Sequence, residues 1–175
     1  MNCLLDMDGL LSNFNIGAAK LFDRASDTTN IWSFHNKNWG LSDDDFCNII
    51  SENSPRFWEF LPTYRWTFNL IDLMNEQFKT HWTICTCPMG EHCKEGKQAW
   101  LNRLNIRIPL PVKFTCTKER YATPNTILID DHEPAVNKFI AAGGVGILFP
   151  APWNRYGDYD PDPVTFIGNA LNEYH

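Results

Sequence analysis

Cys3-Leu4-Leu5-Asp6-Met7-Asp8-Gly9 is the stretch on which the fold of this chain turns. Three apolar residues run without a break into two carboxylates one residue apart, and a glycine follows. The pattern recurs downstream: Thr126-Ile127-Leu128-Ile129 runs into Asp130-Asp131, Trp82-Thr83-Ile84-Cys85 into Thr86, and Val145-Gly146-Ile147-Leu148-Phe149 into Pro150. Short runs that are apolar throughout suit strands buried on both faces, as in a parallel sheet. Val112-Lys113-Phe114 is a candidate fifth strand.

Between these runs lie stretches with helical spacing. Ala99, Trp100, Leu101 and Leu104 form one; Val136, Phe139 and Ile140 form another, starting at Glu133-Pro134 and stopping at Gly143-Gly144. Strand and helix in alternation predict an α/β fold, a Rossmann-like parallel sheet flanked by helices. The interval 13–79 is too long for one crossover and reads as helices: Phe14 to Phe22, a Ser42-Asp43-Asp44-Asp45 start leading to Phe46, Ile49 and Ile50, and Trp66 to Met74. It predicts a small α-helical insert after the first strand, with 1–12 and 80–175 as the core. The insert also holds Trp32, Phe34, Trp39, Phe57, Trp58, Phe60, Tyr64 and Trp66, rings that pack a helical subdomain in the simplest reading. Trp153 to His175 carries no recognisable signal.

The chain has 175 residues, 43% of them hydrophobic, enough for one domain with a sizeable core. Its 15 basic and 21 acidic side chains leave a formal charge of −6, which argues against an extended nucleic-acid partner, because such binding needs clustered Lys and Arg. Any phosphate it handles must be met by a few placed cations, a metal or backbone amides. No stretch approaches the roughly 20 apolar residues of a membrane span, and no signal peptide is expected at Met1-Asn2-Cys3, so the expectation is a cytoplasmic protein with no membrane partner. Disulfides are then not expected among its six cysteines. Cys85, Cys87, His92 and Cys93 cluster locally, but the spacing lacks a zinc knuckle, and free thiols are the preferred reading.

Ligands of an open parallel sheet bind beyond the carboxyl ends of its strands, which is where Asp6, Asp8, Asp130, Asp131 and Thr86 fall. Taken singly, each acidic pair reads as an ordinary strand-to-loop turn. Together, converging carboxylates repel one another unless a hard cation joins them, and Mg²⁺ with a few carboxylates and a substrate phosphate is the usual solution.

These residues resemble the motifs of the haloacid dehalogenase-like phosphatases. Asp6-Met7-Asp8-Gly9-Leu10-Leu11 is similar to the first, Cys85-Thr86-Cys87-Pro88 to the second, Lys118 to the third and Ile129-Asp130-Asp131 to the fourth, in the family order. The 5'(3')-deoxyribonucleotidases are resembled most, through Phe14, Phe57-Trp58 before Leu61-Pro62, Lys97-Gln98-Ala99-Trp100 and Gly143-Gly144. The resemblance implies Asp6 as nucleophile, Asp8 as general acid and base, and Lys118 balancing phosphoryl charge, with Arg120 as the substitute. It implies Mg²⁺ held by Asp6, the Asp8 carbonyl and Asp131, with Asp130 a ligand or outer partner. Thr86 and the amides near Cys87 would grip phosphate; Cys87 stands where these nucleotidases commonly carry Ser. The insert would be a cap, with Phe14, Trp32 and Trp58 lining a base pocket.

The implied activity is a Mg²⁺-dependent phosphomonoesterase for nucleoside monophosphates, foremost pyrimidine deoxynucleotides such as dUMP or dTMP. A phosphatase for another small ester or for a nucleic-acid 3'-phosphate end stays open, as does a non-catalytic nucleotide-binding module. A homodimer is an open expectation for the assembly.

Overall fold

Five strands, all parallel, make one sheet in this computed structural model, which describes residues 1–157 and 162–174. In chain order the elements are β1 (Asn2–Leu5), α1 (Phe14–Leu21), α2 (Phe34–Lys37), α3 (Asp43–Glu52), α4 (Arg56–Glu59), α5 (Thr67–Phe78), β2 (Trp82–Thr86), α6 (Cys93–Arg103), β3 (Lys113–Phe114), β4 (Thr126–Asp130), α7 (Glu133–Ala141), β5 (Val145–Leu148) and α8 (Pro163–Leu171). The sheet order is β3-β2-β1-β4-β5. The chain builds outward from β1 on one side, then crosses back to build outward on the other. This reversal opens a crevice beside β1 at the carboxyl ends, the ligand position of open α/β sheets.

Both faces of the sheet are covered, which explains why the strands are apolar throughout. Cys3, Leu5, Trp82, Ile84, Ile127 and Ile129 belong to the main core with Ile71, Met74 and Phe78 of α5 and Ile167 and Leu171 of α8. The alternate residues Leu4, Cys85 and Leu128 pack with Phe139 of α7. Thr83 of β2 is a buried polar residue among them, and its hydroxyl donates to the Leu110 and Pro111 carbonyls at 3.0 and 2.9 Å. A buried hydroxyl without such a partner would cost about 1–3 kcal/mol.

Register does the positioning. Leu4 pairs with Leu128 and Leu5 with Ile129, so the residues that follow, Asp6 and Asp130, leave the sheet side by side on the Leu4/Leu128 face. The Asp6 amide donates to the Ile129 carbonyl at 2.9 Å, continuing the ladder one step. On the other flank of β1, Leu5 pairs with Ile84, which brings Thr86 to the same end of the sheet.

The segment between β1 and β2 is helical, as the spacing predicts, although the last of its helices runs to Phe78 rather than Met74 and packs on the sheet through Ile71, Met74 and Phe78. Asn13 and Ser42 cap α1 and α3, accepting from Ile16 N at 3.0 Å and Asp45 N at 3.1 Å. Phe14, Phe22, Phe34, Trp39 and Phe46 pack edge-on, tilted or stacked with centroids 4.7–6.3 Å apart, an aromatic core within the insert. No described helix is long and apolar enough to cross a membrane.

The expectation of free thiols fails at one pair: Cys87 and Cys116 form a disulfide across 29 residues. β2 and β3 are parallel neighbours, with Thr86 in register with Phe114, so the residues just beyond their ends come together with Cα atoms 4.4 Å apart. Of the other local cysteines, Cys85 points into the sheet core and Cys93 is buried on α6, both as free thiols, and burial pushes the Cys85 thiol up to about 12.

Candidate active site

β1 ends and a tight turn begins: the amides of Leu11 and Ser12 donate to the Met7 carbonyl at 2.8 and 3.0 Å, and Gly9 N donates to Ser12 O at 2.9 Å. Gly9 has φ +85°, and a Cβ there would lie 2.2 Å from Oδ2 of Asp131. Both the left-handed backbone and the missing side chain are needed so that the Asp131 carboxylate can sit against the turn. Gly9→Ala should therefore cost at least about 2 kcal/mol from strain and displaced contacts. A drop in the urea midpoint at unchanged slope is the expected reading; an unchanged midpoint would contradict this account.

Asp6, Asp130 and Asp131 are buried and offer ligand oxygens within 4.8 Å of one another. Lys118, on the 3₁₀ turn Lys118–Tyr121, places its ammonium 2.7 Å from Asp6 Oδ1 and 2.6 Å from Asp130 Oδ2. Arg120 is exposed over the Tyr121 ring, and Lys113 also lies over that ring, so Lys118 is the cation among these three that meets the carboxylates. Asp130 Oδ1 accepts from the His132 amide at 2.8 Å; Asp131 Oδ2 accepts from the Trp153 indole at 2.7 Å. Three carboxylates against one ammonium leave a double negative charge in a buried space. Burial, ahead of mutual repulsion, lifts Asp6 to about 6 and Asp131 well above the usual carboxylate range. On Lys118 burial works against the charge, but Asp6 and Asp130 outweigh it and raise the pKa.

That residual charge, the all-oxygen donor set and the close spacing fit a hard divalent cation such as Mg²⁺. Asp130 already serves Lys118 and His132 N, whereas Asp131 has one oxygen committed to Trp153 and one unclaimed among the described residues. A pH consequence follows. In metal-free protein Asp6 binds a proton in the fold between about 4 and 6 where the unfolded chain does not, so its burden on stability is present above about 6 and is relieved as pH falls toward 4. Asp131 acts in the same direction. His132, half-buried with its pKa lowered by burial and Lys118, acts in the opposite direction, one group against two. The Tm in EDTA should rise by several degrees as pH falls from 7 to 5, and Mg²⁺ should flatten the trend. A Tm that falls over this interval in EDTA would count against the assignment.

Asp8 lies apart from the trio. Ser12 Oγ donates to its Oδ1 at 2.7 Å and Lys97 Nζ to its Oδ2 at 2.5 Å. Lys97 is fully buried on α6 and also donates to Thr86 Oγ1 at 2.6 Å and to the Cys87 carbonyl at 3.1 Å. Because an ammonium only donates, the Thr86 hydroxyl accepts here and keeps its own proton for a further acceptor.

Asp6, Asp8, Thr86, Lys118, Asp130 and Asp131 line a cavity of about 360 Å³. Phe14, Ile31, Trp32, Phe34, Phe46 and Trp58 line the same cavity, so the carboxylates and the Lys118 ammonium open into an aromatic chamber. Phe14 and Trp58 stack at 5.6 Å and 23°, and Trp58 is otherwise buried, with Lys97 Nζ 4.9 Å from its ring. Trp32 is 49% exposed and lies flat on His132, 4.3 Å between centroids. Every residue singled out from the sequence as a site candidate, Asp6, Asp8, Phe14, Trp32, Trp58, Thr86, Cys87, Lys118, Asp130 and Asp131, lines this cavity.

Trp153, in a stretch without a recognisable signal, lines the cavity too, and Asn154 Nδ2 donates to the Asp131 and Phe149 carbonyls at 3.0 and 2.8 Å. Their position after β5, at the same sheet end as the acidic pairs, was the available clue. Lys97 was missed as a site residue because a helix lysine reads as solvated. Its place four residues from Cys93 and three from Trp100, both buried, puts it on the inward stripe.

No protein-family model matches the chain, and no curated protein matches it. Solved structures do. A haloacid dehalogenase-like family hydrolase from Streptococcus pneumoniae shares 13% identity over 99% of this chain and 98% of that one, with TM-score 0.60. A hydrolase from Pseudomonas syringae shares 15% over 99% of each chain, TM-score 0.58. A haloacid dehalogenase-family hydrolase from Deinococcus radiodurans, with bound phosphate and sodium, shares 11% over 87% of this chain and 84% of that one, TM-score 0.53. At these identities the likeness establishes a shared fold.

Proposed function

We propose that the chain is a Mg²⁺-dependent phosphomonoesterase of the haloacid dehalogenase type acting on nucleoside monophosphates, pyrimidine deoxynucleotides foremost. The observation that carries the reading is the buried Asp6, Asp130, Asp131 and Lys118 constellation opening into an aromatic chamber. The phosphate bound to the Deinococcus radiodurans hydrolase of the same fold supports it.

Mg²⁺, held by Asp6, Asp131 and the Asp8 carbonyl, would offset phosphate charge and polarise its oxygens. An Asp6 oxygen attacks phosphorus; the P–O bond to the nucleoside breaks, and the departing oxygen takes a proton from the Asp8 carboxyl. Water then gives a proton back to Asp8 and attacks the aspartyl-phosphate, releasing inorganic phosphate and restoring Asp6. Lys118 keeps Asp6 aligned and neutralises charge accumulating on the phosphoryl oxygens. Thr86 donates its free proton to one of those oxygens. Asp130 anchors Lys118, and Trp153 holds Asp131 so that one oxygen stays available.

The helices between β1 and α5 act as a lid that excludes water, and a flat base stacks against Phe14 and Trp32, with Trp58 stacked on Phe14 as backing. Burial against rings needs no cluster of cations, which suits a chain of charge −6. A lidded cavity also disfavours a polynucleotide end. The test is phosphate release from a panel of nucleotides: dUMP or dTMP should be hydrolysed with Mg²⁺ and not with EDTA, and a 3'-phosphorylated oligonucleotide should be a poor substrate. Tight nucleotide binding without release in Mg²⁺ would point instead to a binding module.

A further inference from the structure

Cys87 and Cys116 are the exposed cysteines of the chain, they are bonded to each other, and both line the cavity. We infer that this pair is a thiol–disulfide exchange site through which a dithiol or a disulfide oxidant sets how firmly the cavity grips a phosphate oxygen. That consequence rests on the phosphatase reading; the exchange site itself does not.

The bond lies where two loops meet. Cys87 follows Thr86 directly, and its carbonyl accepts from Lys97 Nζ at 3.1 Å, the same ammonium that orients Thr86 and Asp8. Cys116 lies two residues before Lys118, which contacts Asp6 and Asp130. The disulfide therefore ties the Thr86 side of the site to the Lys118 side. Little else does: β3 has two residues, and the ladder ends with Thr115 N donating to Thr86 O at 2.9 Å. Removal of the covalent tie leaves that hydrogen bond and the buried Lys118 pairs, so reduction should loosen the grip rather than abolish it.

Reduction runs by ordinary exchange. A thiolate of the dithiol attacks one sulfur of the pair, the S–S bond breaks and a mixed disulfide forms; the second thiol of the reductant then displaces the attached cysteine. Both cysteines end as thiols, and the reductant leaves as its own disulfide, having supplied two electrons and two protons. Oxidised glutathione reverses the change. Cys3, Cys85 and Cys93 are buried, and Cys47 lies on α3 outside the cavity lining, so none competes at this position.

The experiment compares protein treated with oxidised glutathione and protein treated with dithiothreitol. Iodoacetamide mapping should find Cys87 and Cys116 in one cross-linked species in the first and both alkylated in the second. With dUMP and Mg²⁺, KM should rise roughly five-fold on reduction, a larger change than in kcat, as expected when positioned groups lose fixed geometry. Cys87→Ser/Cys116→Ser should keep one KM under both treatments, near the reduced value, while Cys47→Ser should respond as the parent does. Amide hydrogen exchange over 86–92 and 115–121 should be faster in the reduced protein. Alkylation of both cysteines after oxidation overturns the inference, as do equal exchange rates in the two states or an unchanged KM. If neither state hydrolyses any phosphate ester, the phosphatase reading falls, and the mapping and the exchange comparison still decide the exchange site.

Discussion

Asp6→Asn should lower phosphate release from the preferred nucleotide at least about 10⁴-fold, while leaving the fold as stable as the parent or more so. The two halves of this expectation come from different properties of the same side chain. An amide is no nucleophile toward phosphorus, so the first displacement cannot begin. The amide is also uncharged, and Asp6 sits buried against Asp130 and near Asp8, with burial and those neighbours pushing its pKa to about 6. Above that pH the parent carries a charge the fold resists, and the asparagine variant does not; its carbonyl can still accept from Lys118, 2.7 Å away in the parent. The Tm at pH 7.5 in EDTA should therefore hold or rise. Stabilisation by Mg²⁺ should weaken, because one of three converging carboxylates is gone. Robust turnover by the variant would sink the nucleophile assignment, and a collapse of Tm in EDTA would show that Asp6 holds the structure together instead.

The strand-end carboxylates were legible because two local signals coincide: an apolar run ends and an acidic pair begins. That coincidence locates Asp6 and Asp130 without any knowledge of register, and register then puts them side by side. Lys118 was harder, since Lys113, Lys118 and Arg120 lie close in sequence; what separates them is which one the 3₁₀ turn aims inward, a property of three-dimensional packing. The Cys87–Cys116 bond was illegible for a related reason. A separation of 29 residues says nothing until β3 is known to lie beside β2, and β3 is a two-residue strand with no pattern of its own. Trp153 lay in a stretch with neither periodicity nor motif, yet it is the residue that commits one oxygen of Asp131. The insert was readable as helices from its spacing and caps, but which rings would face the cavity depends on the tilt of short helices, and the place of Trp32 is set by its stack on His132.

Lys118→Met should have the second large effect, and its pH dependence separates charge from packing. The methionine keeps most of the aliphatic stem but removes the ammonium that both Asp6 and Asp130 contact. Breaking a buried ion pair from one side costs about 3–5 kcal/mol, because the charge left behind has no partner. In EDTA at pH 8 the variant should be less stable than the parent by an amount in that range. As pH falls toward 5 Asp6 takes up a proton, and the missing ammonium then has one anion fewer to serve, so the gap between variant and parent should narrow. A gap that stays constant from pH 8 to 5 would mean the loss is one of packing. Activity should fall about 10²–10³-fold from loss of one positioned cation at the phosphoryl oxygens. Mg²⁺ should bind the variant more tightly than the parent, because removal of Lys118 makes the carboxylate cluster one charge more negative. A residue needed merely to build the metal site would give the reverse, weaker Mg²⁺ binding along with lower activity. Titration of both proteins with Mg²⁺ by calorimetry therefore distinguishes a cation that acts on the phosphoryl group from one that only shapes its surroundings.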